Sequence, residues 1–384
     1  MKMFALVAVT LVLVAGTPMY AQTNSSPSTQ TSRPDQRSGP APTPSNIKLL
    51  TGISQAELLR DMSFISASLG VSCDYCHVRS GEHLDFGSDG KEEKGSAREM
   101  IEMVFAVNKS TFNGQTVVSC YTCHRGSAQP VNMVSLPLPP RAPVTGAAAG
   151  ASAKPARPSL PAAEEIFSRY VTAIGGPGAA ARLRAAHSYS MIGTRTGGEG
   201  KPMSIRVDRS LPSQVMISMD RPDGTRVEQV LTETGGWMRN GKDTRDLRPN
   251  DSERIRDTVR SLDDIFLPAT DPAGFRVRRK DKIEDREVWI LDRNLSDTRR
   301  QSLYFDAQSG LLVREVIVTD QKIGRVAAQM DFSDYRDVNG VKLPFVTRTS
   351  SIDRRSDGTS VATEILLDPT IDPARFAAPP KTDH

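Results

Sequence analysis

Apolar side chains recur at helical spacing twice in the first third of the chain. Leu58, Met62, Ile65 and Leu69 fall on one face of a helix that Ser54 and Glu57 cap and Gly70 stops. Met100, Met103, Val104 and Val107 line a second helix, where Ser96 and Glu99 repeat the capping pattern, and the helix ends near Asn108 or the Asn113-Gly114 turn. The order is the same in both passages: cap, helix carrying Met, turn, then a Cys pair.

Beyond residue 160 the period changes. One helix is expected from Pro161 to Ile174, stopped by Gly175-Gly176, and another from about Asp251 to Phe266. Around them run short alternating segments: Ser204 to Val207, Gln214 to Met219, Arg226 to Leu231, Val288 to Asp292, Ser302 to Asp306, Leu311 to Val318 and Lys342 to Ser350. Asp223-Gly224, Asn240-Gly241, Asn339-Gly340 and Asp357-Gly358 are hairpin signals, so the pattern reads as an antiparallel meander with helices attached.

The rest of the chain separates these parts. Lys2 followed by an apolar run from Phe4 to Ala15 reads as a signal peptide over 1–21, because the run is too short to span a bilayer and no later stretch is apolar enough. An uncleaved anchor is the alternative. No Cys follows the leader, which argues against a lipid anchor, and the expected location is periplasmic or secreted. Residues 22–45 are Ser, Thr, Pro and Gln with few large apolar side chains, so burial cannot offset ordering entropy and a disordered tether is expected. A Pro/Ala-rich linker spans 127–160. Two folded units remain, 46–126 and 161–380.

Composition narrows the function. Of 384 residues 38% are hydrophobic, too many for a disordered chain, and 4 Cys are too few for a disulfide scaffold. Net charge is only +4, and Lys2, Arg33, Arg37, Arg141, Lys154 and Arg157 of that balance lie outside the folded units, so no basic face for nucleic acid is implied.

All four cysteines fall in two pentapeptides, Cys73-Asp74-Tyr75-Cys76-His77 and Cys120-Tyr121-Thr122-Cys123-His124. In Cys-x-x-Cys-His the two thiols can add across the vinyl groups of one haem, and the adjacent His can ligate its iron from the proximal side. The expectation is two covalent haems c, anchored by Cys73, Cys76, Cys120 and Cys123 and ligated by His77 and His124. A shared zinc site would need the pairs closer in sequence, at about 15 to 20 residues, and would leave both histidines unexplained. Thioredoxin-like chemistry needs a βαβ context, and structural disulfides need no His after each pair. Two haems would also supply the core that a unit of this size lacks, so its haem-free form should fold poorly. Candidates for the sixth iron ligand are Met62, Met100, Met103 and His83. A thioether there would raise the potential and close the iron to small molecules, although Met on an apolar helix face is more often core filler.

At these residues the sequence resembles the cytochrome c subunit of photosynthetic reaction centres, over about Ile47 to Gly126. LLTGIS before a Met-bearing helix, CDYCH, GKEEKGSAREMIEM and above all SCYTCHRG (Ser119 to Gly126) carry the likeness. The resemblance implies an axial Met from the helix before each motif, Met62 for the first haem and Met100 for the second, with Met103 the fallback on the same face. That subunit usually carries four haems, whereas this chain has two motifs.

The second unit resembles lipoprotein-carrier (LolA/LolB-like) half-barrels through EEIFSRYVTAIGG, GGWMRNGKDTRDL, YFDAQSGLLVREV and DYRDVNGVKLPF. That family implies a curved antiparallel sheet wrapping a helix, with a lipid or hydrophobic ligand on its concave face. His187 is the unit's lone internal histidine and no catalytic grouping is visible. The expected architecture is multidomain, α and α+β: a small helical dihaem cytochrome c domain followed by an antiparallel β half-barrel with attached helices. The expected function is single-electron transfer with a redox partner protein, not enzymatic catalysis. A lipid-binding protein with haem as redox sensor is the alternative from another class, and haem catalysis at an open iron is a third.

Overall fold

In the computed structural model, residues 44–130, 160–197, 200–249, 274–352 and 357–379 are described, with 251–253, 255, 256 and 259 between them. The leader, nearly all of the tether and most of the linker expected from sequence lie outside these residues. So does most of the helix expected over Asp251 to Phe266. Among the described residues no helix is long and apolar enough to cross a membrane.

Helix α1 (Gln55–Leu69) has the capping box that its sequence implies. The Ser54 hydroxyl accepts from the Glu57 amide at 3.2 Å, and Glu57 accepts from the Ser54 amide at 2.7 Å. Gly70 ends it at φ 67°, and a Cβ there would lie 2.1 Å from the Gly126 carbonyl oxygen. Only glycine meets both demands. Helix α2 (Glu92–Thr111) begins a turn earlier than Ser96 suggests, with Lys91 as cap. Glu92 and Glu93 in its first turn suit the positive end of the helix dipole, so the acidic run, rather than the Ser-x-x-Glu pattern, sets the start. A small hairpin of β1 (Val78–Ser80) and β2 (His83–Asp85) lies between them, and α3 (Cys120–His124) follows.

Helix α4 (Ala163–Ala173) lies within the span expected from sequence, and a helix not foreseen, α5 (Pro177–Ala185), follows the Gly175-Gly176 stop. Among the described residues, thirteen strands then form one antiparallel sheet. The first meander is β3 (Ser188–Gly197), β4 (Met203–Ser210), β5 (Gln214–Asp220), β6 (Arg226–Thr232), β7 (Gly235–Asn240) and β8 (Asp243–Asp246). The second is β9 (Arg276–Ile283), β10 (Arg286–Ser296), β11 (Arg299–Asp306), β12 (Leu312–Gln321), β13 (Gly324–Val338), β14 (Val341–Ser351) and β15 (Gly358–Leu367). Pairing of β15 with β3 joins the two, so the earliest and latest strands lie at the centre of the sheet. Asp223-Gly224, Asn240-Gly241 and Asn339-Gly340 sit at the hairpin turns expected of them.

The main core lies between α4, α5 and one sheet face. Ile166, Phe167, Tyr170 and Leu183 pack on Leu303, Phe305, Leu312, Phe332 and Leu343. Phe305 receives Phe167 and Tyr170 edge-on at centroid distances of 5.6 and 5.5 Å. Each such side chain buried contributes roughly 1.5 to 3 kcal/mol, which is what anchors these short helices.

The Met-bearing helices and the sheet lie in one compact unit, Pro42–His384. Leu50, Leu58, Phe64 and Ile101 share an apolar cluster with Ile323 and Val326 of the β12–β13 hairpin. Lys322 donates to the Thr51 carbonyl at 2.6 Å, and Arg60 pairs with Glu253 at 2.8 Å.

Candidate functional site

The two pentapeptides are locally helical, for a reason each sequence supplies. Ser72 precedes a 3-10 turn over Cys73–Tyr75, and the His77 amide closes back on the Cys73 carbonyl at 3.1 Å. Ser119 and Thr122 cap α3 reciprocally: the Thr122 amide donates to the Ser119 carbonyl and the Ser119 amide donates to the Thr122 hydroxyl, both at 3.0 Å. In each pair one thiol is exposed (Cys73, Cys123) and the other half-buried (Cys76, Cys120), and none is in a disulfide. Burial pushes the Cys76 and Cys120 thiols up from their usual value.

The histidines differ. The loop after α3 turns back through Arg125 (φ 50°) and Gly126 (φ 88°), which brings the Ser127 carbonyl to 3.0 Å from His124 Nδ1. With Nδ1–H donating there, Nε2 is the nitrogen with a lone pair for iron. After His77 the chain runs straight into β1 instead. His77 Nδ1 is buried with no hydrogen-bond partner among the described residues, and its ring packs edge-on to Phe86 at 5.0 Å. Burial lowers the His77 pKa, Lys94 and Arg98 act in the same direction, and Asp85 opposes them.

Those two cations belong to a cluster around Asp89. Asn46 donates to its carboxylate at 2.7 Å, Lys48 and Arg98 lie at 2.9 Å and Lys94 at 3.2 Å, holding that carboxyl well below the usual range. Lys94 also donates to the Phe86 and Ser88 carbonyls at 3.0 and 2.6 Å, tying the β1–β2 hairpin to α2.

The candidate distal ligands fall in different settings. Met100 and Met103 are 41% and 45% exposed on α2, so neither is core filler of this chain. Met62 is half-buried on α1, against the apolar cluster that Cys120 also touches. His83 is exposed on β2, paired across the hairpin with Ser80. Both α1 and α2 pack on α3, and the Gly126 amide donates to the Ser68 carbonyl at 2.8 Å, so the second pentapeptide is held by both Met-bearing helices.

Three residues that the sequence does not mark as part of a site complete the surroundings. Asn108 is buried on the stripe of Ile101 and Val104; its amide nitrogen donates to the Val118 carbonyl at 2.7 Å, and its oxygen accepts from the Val117 and Val118 amides at 3.1 and 2.9 Å. It fixes the strand-like approach to α3. A polar residue on an apolar stripe was the available signal. Phe86 gave no signal of its own. Asp61, inside α1, is fully buried with neither carboxylate oxygen hydrogen-bonded among the described residues, and burial pushes its pKa up to about 6.

A covalent porphyrin fits these residues. Leu59, Tyr75, Phe86, Met100, Met103, Val117 and Tyr121 leave large apolar surfaces exposed along the helices and loops that carry the pentapeptides, whereas the sheet exposes few such side chains. No group of three or more His, Cys, Asp or Glu able to hold a bare metal ion occurs among the described residues. The donor set of two thiols and one imidazole per site is the set that covalent haem uses.

Comparison with known proteins gives the same reading. Residues 14–168 match the family model described as photosynthetic reaction centre cytochrome C subunit. The photosynthetic reaction center cytochrome c subunit of Rubrivivax gelatinosus is 36% identical over 89 residues, covering 22% of this chain and 23% of that protein. Cytochrome c-554 of Chloroflexus aurantiacus is 35% identical over 89 residues, covering 21% of this chain and 20% of its own length. The chain thus spans less than a quarter of these relatives. Among solved structures, a DUF1329 family protein from Desulfovibrio piger superposes with 12% identity over 57% of this chain and 98% of its own, at a TM-score of 0.39. A LolA superfamily protein from Nitrosomonas europaea does so with 8% identity over 57% of this chain and 98% of its own, at 0.37. Both are low-scoring superpositions and neither bears on ligand or activity. The segment that holds both pentapeptides matches the photosynthetic reaction centre cytochrome C subunit family, the resemblance that SCYTCHRG carries in the sequence.

Proposed function

We propose that this protein is an exported dihaem cytochrome c that relays single electrons to or from a redox partner protein. The observation that carries the reading is that every cysteine belongs to a Cys-x-x-Cys-His pentapeptide inside the segment matched to a cytochrome c family. Covalent haem supplies reversible one-electron iron chemistry when bound. Cys73, Cys76, Cys120 and Cys123 anchor it through thioethers; His77 and His124 are the proximal ligands. Met62 serves the first site and Met100 the second, with Met103 as the alternative at the second.

The residues' part is to fix and tune. The Ser127 carbonyl orients the His124 ring, Phe86 holds the His77 ring, and Asn108 sets the segment leading into α3. The exposed apolar side chains around both motifs exclude water once covered, which raises the energetic weight of every nearby charge. On the sheet, α4 and α5 already fill one face, so a hydrophobic ligand there would have to displace Phe167 and Tyr170.

The test is a haemochrome assay with intact mass on the protein made in a host competent in cytochrome maturation. Two haems per chain are expected. A colourless product with the mass of the bare chain overturns the reading.

A further inference from the structure

The two motifs differ in what holds the histidine, and the difference has one sign. At the second, the αL residues Arg125 and Gly126 fold the chain back so that the Ser127 carbonyl accepts from His124 Nδ1 at 3.0 Å. Such a hydrogen bond adds imidazolate character to the ring, makes it a stronger donor and stabilises Fe(III) over Fe(II). At the first, His77 leads into β1, no carbonyl returns to the ring, and Nδ1 is buried without a partner among the described residues. Its donor strength lacks that increment. Charge acts in the same sense. Lys48, Lys94 and Arg98 converge on the carboxylate of Asp89, and Lys94 donates at 3.0 Å to the carbonyl of Phe86, whose ring packs on His77; Asp85 at the end of β2 is the opposing charge. Three cations outnumber the Asp85 and Asp89 carboxylates there, and an excess of positive charge beside an iron centre favours its reduced, less positive state.

We propose that the Cys73–His77 site is the high-potential member of the pair and the Cys120–His124 site the low-potential one, so that Ser127, Lys94 and Arg98 give electron flow within this chain a direction. The inference rests on covalent haem at both motifs. With haem bound at both motifs, an electron delivered at the Cys120–His124 site by an external one-electron donor would pass to the Cys73–His77 site, so that the second site would be reoxidised as the first is reduced. One electron moves and no bond or proton changes place. Ser127 and the two cations are positioning and tuning groups; none of them touches the iron.

The experiment is spectropotentiometric titration of the full-length holoprotein after the haem count has been established. Two one-electron waves are expected. Gly126→Ala places a side chain at φ 88°, which strains the turn and pulls the Ser127 carbonyl away; it should shift the lower wave upward and leave the upper wave in place. Lys94→Gln and Arg98→Gln, which need not disturb α3, should lower the upper wave and leave the lower one. A slowly exchanging ring N–H at one proximal histidine alone, seen by proton NMR of the reduced protein and lost in Gly126→Ala, ties the lower wave to His124. Coincident waves in the native protein, or Gly126→Ala moving the upper wave, or the charge variants moving the lower one, overturns the ordering. A haem count other than two overturns the cytochrome reading instead, so the two failures are distinguishable.

Discussion

The ring of Phe64 on α1 lies directly over Gly324 at the start of β13. A Cβ built on Gly324 would sit 2.2 Å from Phe64 Cζ and 2.4 Å from Cε1. Phe64 is 5% exposed and belongs to the cluster with Ile323 and Val326. This contact joins the Met-bearing segment to the sheet. Gly324→Ala should therefore destabilise the chain by about 1 to 3 kcal/mol through overpacking. Phe64→Leu in the same background should recover part of that, since two residues in contact do not act additively. Chemical denaturation of the two single variants and the double variant checks it; a Gly324→Ala variant as stable as the parent would show that the ring does not rest there.

Asn108 is a buried clamp on the backbone leading into α3. Replacing it with Leu removes three hydrogen bonds and leaves the Val117 and Val118 groups unpaired, at a cost of about 3 kcal/mol. Because the loosened segment leads directly into Cys120 at the start of α3, haem attachment at the second site should fall while the first is unaffected. Intact mass of Asn108→Leu should show a one-haem species accumulating; full loading of both sites would refute the clamp.

Met100 and Met103 stand three residues apart, both exposed. If Met100 is the distal ligand, Met100→Ala opens one iron, and the reduced variant should bind carbon monoxide at half the haem content. Met103→Ala should leave the optical spectrum as it was. Reversed behaviour would transfer the role to Met103, and carbon monoxide binding by the native protein would remove it from both.

Asp208 gives the sheet an acid-sensitive point. Its carboxylate is fully buried on β4, accepts from Ser190 at 2.5 Å and from Arg206 at 2.8 Å, and pairs with Arg375 at 2.7 Å. Burial pushes its pKa up, but these partners outweigh burial and the carboxyl ends below its usual value. A depressed folded-state pKa means that the stabilisation is complete above the unfolded value near 4 and is lost as pH falls through the folded value. Asp208→Asn should cost roughly 3 kcal/mol at pH 7, the scale for breaking a buried pair, and the gap to the native protein should shrink below pH 4. Melting curves between pH 3 and 8 decide it; a gap independent of pH would exclude the carboxylate as its source.

Without haem, the apolar side chains from Leu59 to Tyr121 have no cover. A Cys-to-Ala variant at all four thiols should bind a hydrophobic dye and lose amide protection in α1 and α2, whereas β10 to β14, anchored on α4, should keep theirs. Equal protection in both regions would show that 46–126 needs no haem to fold.

The chemistry and the local elements were written in the chain itself. Pentapeptide spacing, the Ser54–Glu57 cap, the Gly70 stop and the Asn-Gly and Asp-Gly turns each depend on residues within a few positions of one another, so a short window specifies them. Alternation told which strand residues share a face. It did not tell which partner covers that face, and so the pairing of β15 with β3, which seals two meanders into one sheet, came only from the assembled fold. The same holds for Gly324 under Phe64, for α1 resting on α3, and for Phe86 against His77, pairs whose periodicities are compatible with many docking partners. The Ser127 carbonyl lies only three residues from His124, yet its return depends on a left-handed backbone at Arg125 and Gly126, and the identical pentapeptide pattern at His77 continues into a strand. Sequence spacing fixes which atoms can meet the iron. Backbone direction after the motif, set by packing around it, decides what else meets the ligand.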